Sequence, residues 1–590
     1  MLTGWDYLVI GVYLVFMMGI GFLWSRINKN SSDYFRGGGN VLWWINGMSS
    51  LAAGMTAYSF TAAGAKVFET GFLLFIIYLV QAIPMLLVYF YFSGRFRQMR
   101  VVTICDAIRR RFGKPTEQFW VWTALPLGLF NGGVMIYIVS LFVSAAIGLP
   151  IIPTIVILTT VVTVLAVAGG CWAILAGDFI QMMIVTVVSV TILIRSVLLP
   201  EVGGFSGFMS KIPDCYTNFS LFERPAVWIS LLTMFAVVNT LRAIDLNSVG
   251  AKFLKVKDGS HARKATLVMI IGMALTPLIA FTPVMVCKAI GLNLAEMFPN
   301  LSNANEGAYV AIAHHVLPQG MVGLMVCAIF ATTLASLDVA LNNNAGFFVK
   351  NFYNDIINPN ASEKTLVTLG RLITAAFGVL IAGAAVLIAT FRDVDLFSML
   401  LKFNVLLQFP MIIPTIWGMI YRRTPGWTAW STVLVSMSVA WVSQYCITAE
   451  QVAAFMGIAL PLNALEAKDL VFVGGGIITL VVGTAWFFFT TLFYKATTTE
   501  FRSSVDNFFK DMATPIDHVA ENSVNQDAIQ YRNMGILCNI YGGAICAGFL
   551  IPNLLNNRML FIYCGGAFVL LGLFLLSIHR RMQKKSRDRY

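Results

Sequence analysis

The sequence predicts an all-α polytopic membrane protein with 14–15 spans. Of its 590 residues, 58% are hydrophobic and 12% are charged, and the mean hydropathy is +0.78. Soluble proteins carry about 25% charged residues. Long stretches have no charged residue, and these are residues 70–94, 119–177, 179–194, 266–287 and 307–337. Because about 18 apolar residues suffice to cross a bilayer as a helix, this composition excludes a soluble enzyme, a disordered chain and a secreted disulfide scaffold.

Fifteen candidate spans follow one another along the chain. They cover residues 5–25, 43–64, 71–94, 119–148, 151–169, 172–199, 226–249, 266–291, 319–348, 367–390, 393–421, 426–448, 470–494, 533–553 and 559–579. The last two are the weakest, and a short boundary at Gly169-Gly170 separates two others. A count of fourteen therefore stays open.

The distribution of basic residues predicts the orientation. With the N-terminus outside, the cytoplasmic loops hold 30 of the 40 Lys and Arg residues, the outer loops hold six, and four lie within spans. Lys and Arg concentrate in cytoplasmic loops, so the C-terminus with its basic tail is predicted to be cytoplasmic. The net charge of +12 then reflects topology and not nucleic-acid binding. We expect a bacterial inner membrane, because the outer loops are short.

An amphipathic stretch at residues 101–112 is expected to lie along the inner membrane surface. Anionic lipid would attract its arginines there.

The second span, residues 43–64, is a poor continuous helix. Gly47, Gly54 and Gly64 interrupt it, with Ser and Thr residues between them. Unwound backbone at mid-membrane is tolerated where it is buried in protein or lines a cavity. Small residues also serve close helix packing, and the pattern alone leaves both interpretations open.

The seventh span carries Asn239, Arg242 and Asp245 at membrane depth. Ionisable groups there usually face a cavity or a partner, although Arg242 and Asp245 also suit mutual neutralisation near the interface. Spans 2–6 and 7–11 make two units of five, each opening with an interrupted helix. Paired interruptions of this kind predict an inverted five-plus-five helix repeat transporter fold with broken first and sixth core helices.

This interpretation divides the chain into five parts. They are an extra span with an inner loop (1–42), a first repeat (43–199), an outer loop (200–225), a second repeat (226–421) and peripheral spans with a basic tail (422–590).

Asp178 is an isolated carboxylate in an apolar stretch. Such a residue indicates an ion path, and the alternative is an interfacial Asp that caps the sixth helix. Metal-ligand, phosphate-binding and nucleophile motifs do not occur where they could act, so no enzyme activity is predicted.

Five segments resemble the sodium/solute symporter family, which includes sodium-coupled glucose, proline and iodide carriers. They are Ser32-Asp33-Tyr34-Phe35-Arg36-Gly37-Gly38-Gly39 before Trp43-Trp44, then Val102 to Gly113, Gly169 to Gln181, and Leu254 to Ala265, and finally Ala308-Tyr309 with Leu317-Pro318, Gly320, Gly323 and Leu334 to Asn342. The last segment is the most specific, and all five occur in family order and at family spacing.

The resemblance implies that sodium is the coupling ion and binds between the first and eighth core helices. The matching ligands are the carbonyls of Ala52, Met55, Thr332 and Ala335 and the hydroxyl of Ser336. Asp178 matches a carboxylate on the ion's exit path. Sugar carriers have two adjacent hydroxyl residues where this chain has Ala335-Ser336, so one oxygen is missing. Thr332 or Thr333 is a candidate replacement, since residues three and four apart share a helix face.

The resemblance also implies a substrate site, whose matching positions are Gly54, Thr56, Tyr58, Ser59, Asn239 and Arg242. Sugar carriers hold hydroxyl groups with Asn, Glu and Gln on the first core helix, and this chain has Gly54, Tyr58 and Ser59 there. Arg242 replaces an aromatic gate, and a guanidinium suits a carboxylate through its bidentate fork.

We therefore predict a secondary active transporter that couples sodium to a small polar solute, with an organic anion preferred over a sugar. The expected partners are the solute, the sodium ion and membrane lipid. A symporter-like sensor and an uncoupled or proton-coupled carrier on the same fold are the alternatives.

Overall fold

The computed structural model describes residues 2–25, 31–213, 216, 237, 240–241, 243–299, 301, 303–390, 403–458, 461–462, 464–516 and 520–587. Within these ranges the chain is helical and has no strand, and Val41 and Val256 form one isolated bridge. A helix forms its backbone hydrogen bonds internally, which is necessary in a membrane because lipid offers no partners to backbone N–H and C=O groups. Asn239 and Arg242 lie outside the described residues.

Twelve α-helices precede residue 214. They are α1 (Gly4–Ser25), α2 (Ser31–Arg36), α3 (Trp43–Gly54), α4 (Ala57–Phe60), α5 (Ala62–Thr70), α6 (Phe72–Val80), α7 (Pro84–Leu87), α8 (Ser93–Gln98), α9 (Ile104–Phe112), α10 (Lys114–Ile147), α11 (Ile151–Val197) and α12 (Gly204–Lys211). A π-helical turn, Val88–Phe92, joins α7 to α8.

Thirteen further α-helices follow in the described part of the chain. They are α13 (Ala251–Phe253), α14 (Gly259–Ala289), α15 (Leu294–Met297), α16 (Ala308–Val316), α17 (Met321–Gly346), α18 (Glu363–Thr390), α19 (Phe409–Ile420), α20 (Thr428–Cys446), α21 (Ala449–Met456), α22 (Ala464–Phe489), α23 (Thr499–Ala513), α24 (Ala520–Ala547) and α25 (Leu555–Arg587). π-Helical segments precede α13, follow α17 and precede α19.

Eight helices in the described ranges are long and apolar enough to cross a membrane, or nine if the bent pair α20 and α21 is one span. Four shorter apolar helices coincide with predicted spans: Gly4–Ile20, Ile151–Val167, Met321–Ala331 and Leu406–Ile420. The multi-pass membrane architecture is confirmed. The count of 14–15 stays a prediction, because most of the seventh span and part of the eleventh fall outside the described residues.

Several loops that are predicted to lie on the same side of the membrane are in contact with each other. Arg97 Nη2 donates to Gly39 O (3.2 Å), Arg109 pairs with Asp355, and Arg100 donates to Thr514 O (3.5 Å). We call this side, which α2, α8, α9, α13 and α23 form, the basic face. Contacts such as Tyr7 Oη to Ile147 O (3.2 Å) connect loops at the opposite face.

Helix α9 is the amphipathic stretch that was predicted to meet lipid. Arg109 and Arg110 each pair with an aspartate of another loop. Arg111 is fully buried, and its guanidinium donates to the carbonyls of Gly418 and Tyr421 at 2.8 Å each. Burial lowers the pKa of Arg111 to about 9, so it remains charged at neutral pH. The expectation of lipid attraction is wrong for Arg111, which lies inside the protein.

Helix α11 breaks at Gly170, whose backbone (φ 56°, ψ −164°) is not helical. The predicted boundary between two spans lies at this position. Helix α11 packs against α1, α3 and α17, and residues 173–182 in the half that follows the break are buried. This packing places Asp178 next to α3.

Candidate functional site

The span that begins at residue 43 breaks twice. Helix α3 ends at Gly54, and Met55 (φ −101°, ψ 75°) and Thr56 (φ −88°, ψ 171°) leave helical geometry before α4 begins at Ala57. A second break lies at Thr61 (φ −105°, ψ −91°). The prediction of an interrupted first core helix is confirmed.

The glycines of this span have two different roles, close helix packing at one position and unwound backbone at another. Gly54 is the last residue before the first break. Gly47 stays helical and packs against α14, where a Cβ on Gly47 would lie 2.8 Å from the Cβ of Val268. Gly47 therefore serves close helix packing, whereas Gly54 adjoins unwound backbone.

Helix α17 contacts the chain on both sides of the first break. Ser336 Oγ donates to Ala53 O at 2.9 Å. The Ala57 amide donates to Thr333 Oγ1 at 3.1 Å. Two hydroxyl groups of α17, one turn apart, thus lie against the unwound segment.

The structure brings three of the five predicted sodium ligands together. Ala52 is fully buried and Met55 is 1% exposed, and Ser336 contacts Ala53, one of the two residues between them. Thr332 and Ala335 belong to the same helical segment of α17. Unwound carbonyls beside a helix that carries hydroxyl groups form the kind of oxygen-rich site that sodium occupies in broken-helix transporters.

Thr333 is a candidate for the missing hydroxyl, because its Oγ1 lies against the first break. Its side chain is 1% exposed, and it shares a helix face with Ser336, three residues away. Thr333 is one of the two threonines that the sequence left open, and its hydroxyl accepts a hydrogen bond from the amide that follows the break.

The predicted substrate positions on the first core helix differ in burial. Gly54 is exposed, and a Cβ added to it would meet no atom of the described residues within 4 Å. Thr56 and Tyr58 are half-buried, and Ser59 is 3% exposed. As far as the described residues show, open space adjoins the break on the side of Gly54.

The seventh span also leaves helical geometry. Ile244 and Asp245 are not helical, and a π-helical turn, Leu246–Gly250, follows them. Asp245 is buried, and Thr415 Oγ1 donates to its Oδ1 at 3.4 Å. The second interruption is thus present near its predicted place, while neutralisation by Arg242 falls outside the described residues.

Asp178 connects the core to the first broken helix. Ser49 Oγ donates to Asp178 Oδ2 at 2.5 Å, and Oδ1 accepts no hydrogen bond within the described ranges. Asp178 is 1% exposed and lies about two turns into the second half of α11. The alternative role as a helix cap is therefore wrong. Ser49 precedes Ala52 by one turn, so the carboxylate lies between the predicted sodium ligands and the basic face.

Ser49 and Lys252 are polar residues near Asp178 that no sequence pattern marks as site residues. Lys252 Nζ donates to Ser50 O at 3.2 Å, next to the Ser49–Asp178 pair. In the sequence, Lys252 is one of many basic residues in the predicted cytoplasmic loops, and Ser49 is one of several small residues in α3.

A further unpredicted contact fixes the start of α17. Asp6 Oδ1 accepts from the amides of Gly320 and Gly323, both at 2.8 Å, and Oδ2 accepts from Thr3. Gly320 has φ +85°, which an L side chain rarely adopts, and a Cβ on Gly323 would collide with the backbone of Asp6. The glycines of this segment thus allow α1 to approach and cap the helix that carries Ser336.

A comparison with protein families matches residues 34–459 to the sodium:solute symporter family. The sodium/glucose cotransporter of Vibrio parahaemolyticus is 24% identical over 404 residues, which cover 64% of this chain and 73% of the relative. The sodium/sialic acid symporter SiaT of Proteus mirabilis is 24% identical over 456 residues, which cover 75% of this chain and 89% of the relative. The chain spans 60% of the length of the sheep sodium/glucose cotransporter 1, to which it is 25% identical.

Two solved structures share the fold. A Na+-coupled sialic acid symporter in a substrate-bound outward-open state aligns with a TM-score of 0.67 and 17% identity, over 84% of this chain and 98% of that one. Mhp1, a nucleobase-cation-symport-1 family transporter, aligns with a TM-score of 0.51 and 15% identity, over 80% of this chain and 98% of that one. The inverted five-plus-five repeat transporter fold is confirmed. The chain belongs to the sodium:solute symporter family, and it is a sodium-coupled transporter of a small solute and not an enzyme.

Proposed function

We propose that the chain moves a small organic anion together with sodium and binds the solute beside the break between Gly54 and Ala57. The open space at Gly54 carries this proposal, because a solute site needs room next to the unwound backbone. On this first helix the substrate positions lack the paired amide and carboxyl groups that would hold a polyol.

Arg242 supports an anion as the solute. Arg242 lies outside the described residues, and in the sequence it precedes Asp245 at the second interruption by three positions. A guanidinium binds a carboxylate through two parallel hydrogen bonds. Two relatives carry sialic acid, an organic acid, in their names. Asn239, Thr56, Tyr58 and Ser59 complete the proposed solute site.

The proposed sodium ligands are the carbonyls of Ala52, Met55, Thr332 and Ala335 and the hydroxyl of Ser336. The 2.9 Å hydrogen bond from Ser336 to Ala53 supports this set, because it holds α17 against the break. We propose that Thr333 supplies the oxygen that Ala335 lacks.

The same contacts suggest how coupling arises. Sodium between α3 and α17 favours the state in which these helices are close, and that state also completes the solute site. Each ligand therefore raises the affinity for the other. Asp178, with its free carboxylate oxygen, is proposed to receive sodium on its way out, as the repeats at 43–199 and 226–421 move against each other.

We place the basic face in the cytoplasm and the N-terminus outside, in a bacterial inner membrane. The distribution of Lys and Arg supports this orientation.

Uptake into proteoliposomes under a sodium gradient tests the proposed solute class. Arg242→Gln is expected to reduce carboxylate uptake about 10- to 100-fold, because a hydrogen bond to a charged group contributes about 1.5–3 kcal/mol. Uptake of neutral sugars by the same variant, measured in parallel, should not rise in its place. The matched control is Arg195→Gln, since Arg195 donates to Asn557 (3.3 Å) at the opposite face.

Carboxylate uptake that survives Arg242→Gln unchanged would refute the anion assignment. Uptake driven by a pH gradient in the absence of sodium would instead favour a proton-coupled carrier. A protein that binds the solute but moves none of it would favour the sensor alternative.

A further inference from the structure

Two loop segments meet on the basic face. Residues 39–42 lead into the first broken helix, and residues 255–257 connect α13, which follows the second broken helix, to α14. Val41 and Val256 form the isolated parallel bridge, and the Val41 amide donates to Lys255 O at 3.1 Å. We call this contact the junction. It holds the basic-face ends of the two broken helices together.

A guanidinium of α8 binds both segments of the junction. Arg97 Nη2 donates to Gly39 O at 3.2 Å, and Arg97 Nε donates to Val256 O. The Arg97 side chain is 5% exposed. Because it binds one carbonyl on each side, separation of the two segments would break at least one of these hydrogen bonds.

Gln530 of α24 binds the backbone of the first segment. Its Oε1 accepts from the Leu42 amide at 3.0 Å, and its Nε2 donates to Asn40 O at 2.9 Å. A side-chain amide carries both an acceptor and donors, so one residue satisfies two backbone groups of the segment. Gln530 is 3% exposed, and the loss of a buried partner leaves such groups unsatisfied at a cost in free energy.

Asp527 of the same helix binds the second segment. Its carboxylate lies 3.2 Å from the ammonium of Lys257, and 16% and 12% of the two side chains are exposed. Asp527 and Gln530 are three residues apart and therefore share a face of α24. One face of one helix thus holds both segments of the junction.

Helix α24 lies beyond residues 34–459, which match the symporter family. It packs along α25, and His579 Nδ1 of α25 lies 2.8 Å from Ala528 O. The ring of Tyr531 packs against Trp44 at the start of α3, with ring centroids 5.4 Å apart. The peripheral helix pair therefore contacts the first broken helix directly.

We propose that α24 acts as a latch on the junction, with Gln530 and Asp527 as positioning residues for alternating access. In broken-helix transporters, release on one side requires one repeat to move against the other. At the basic face such a movement separates residues 39–42 from 255–257 and breaks their contacts with α24. The latch thus stabilises the state that is closed at the basic face. It depends neither on the class of solute nor on the sodium ligands.

Alkylation of Cys171 in the detergent-purified full chain tests the latch. Cys171 is fully buried at the junction, where a Cβ on Gly37 would lie 3.6 Å from its Sγ and where its thiol contacts Lys255. Separation of the segments exposes this thiol to N-ethylmaleimide, and peptide mass spectrometry measures the rate. Gln530→Ala should raise the rate roughly tenfold, because it removes two hydrogen bonds of ordinary strength.

Cys564 is the internal reference for general loosening of the protein. It is 2% exposed, and its Sγ lies 3.5 Å from Thr191 Oγ1, about one helical turn from Arg195 at the opposite face. Its rate should stay at the wild-type value in Gln530→Ala. The matched control is Gln526→Ala, which changes an exposed glutamine of α24 and should leave both rates unchanged.

Reversal of the ion pair tests the second contact of the latch. Asp527→Lys should also raise the rate at Cys171, because it places two ammonium groups side by side. Addition of Lys257→Asp restores opposite charges, so the double variant should react at a rate close to that of the wild type.

Equal rates at Cys171 in the wild type, Gln530→Ala and Asp527→Lys would overturn the proposal. Parallel increases at Cys171 and Cys564 would also overturn it, because general unfolding exposes both thiols without any specific opening of the junction.

Discussion

Replacing Gly54 by Trp is expected to abolish solute uptake while the protein still folds and still responds to sodium. Gly54 borders open space beside the first break, with no described atom within 4 Å of an added Cβ. Its φ lies outside the left-handed region, so a side chain causes no backbone strain there. An indole would fill the space that the solute needs.

The measurement is sodium-driven uptake in proteoliposomes, together with the melting temperature in detergent. Gly54→Ala is the matched control, and it should retain uptake because a methyl group leaves most of the space open. If Gly54→Trp transported at the wild-type rate, the solute site would lie elsewhere. A loss of both folding and sodium response would indicate a structural role for Gly54.

Replacing Asp6 by Ala is expected to cost about 2–4 kcal/mol of stability, because it leaves buried amides at the start of α17 without an acceptor. Asp6 is 1% exposed and accepts from Gly320 and Gly323. Its charge also interacts favourably with the N-terminal end of the α17 dipole. Since α17 carries Ser336, the sodium concentration for half-maximal stabilisation should rise as well.

Unfolding of the detergent-purified variants, with and without sodium, measures both effects. Asp6→Asn keeps one acceptor oxygen for the two glycine amides but loses the acceptor for Thr3. Its stability should therefore lie between those of the wild type and Asp6→Ala. Tyr7→Phe removes an exposed hydroxyl contact of the neighbouring residue and should have little effect. Equal stability of Asp6→Ala and the wild type would show that the cap is not needed.

Sequence patterns sufficed for the membrane class, the two interrupted helices and the burial of Asp178. Charge-free runs and interruptions within one span are local features, so they can be read without knowledge of packing. The glycines show where such reasoning ends. Gly47 and Gly54 look alike in sequence, and only the neighbour of each, Val268 or open space, decides whether the position serves packing or unwinding.

The contacts within the site could not be predicted from the sequence and became visible only in the structure. Ser49 and Asp178 are 129 residues apart along the chain, and nothing local marks Ser49 as the partner. The hydrogen bond between the Ala57 amide and Thr333 Oγ1 joins residues 276 positions apart along the chain.

The stability of the purified protein in sodium against choline, at equal ionic strength, tests the central claim most directly. A ligand that binds only the folded state stabilises it by about 2.7 kcal/mol at a hundredfold excess over its Kd. We expect a sodium-specific rise in melting temperature that Ser336→Ala removes. Ser438→Ala, which changes an exposed serine of α20, should retain that rise. Identical melting curves in sodium and choline, or a sodium response that survives Ser336→Ala, would contradict a sodium site between α3 and α17.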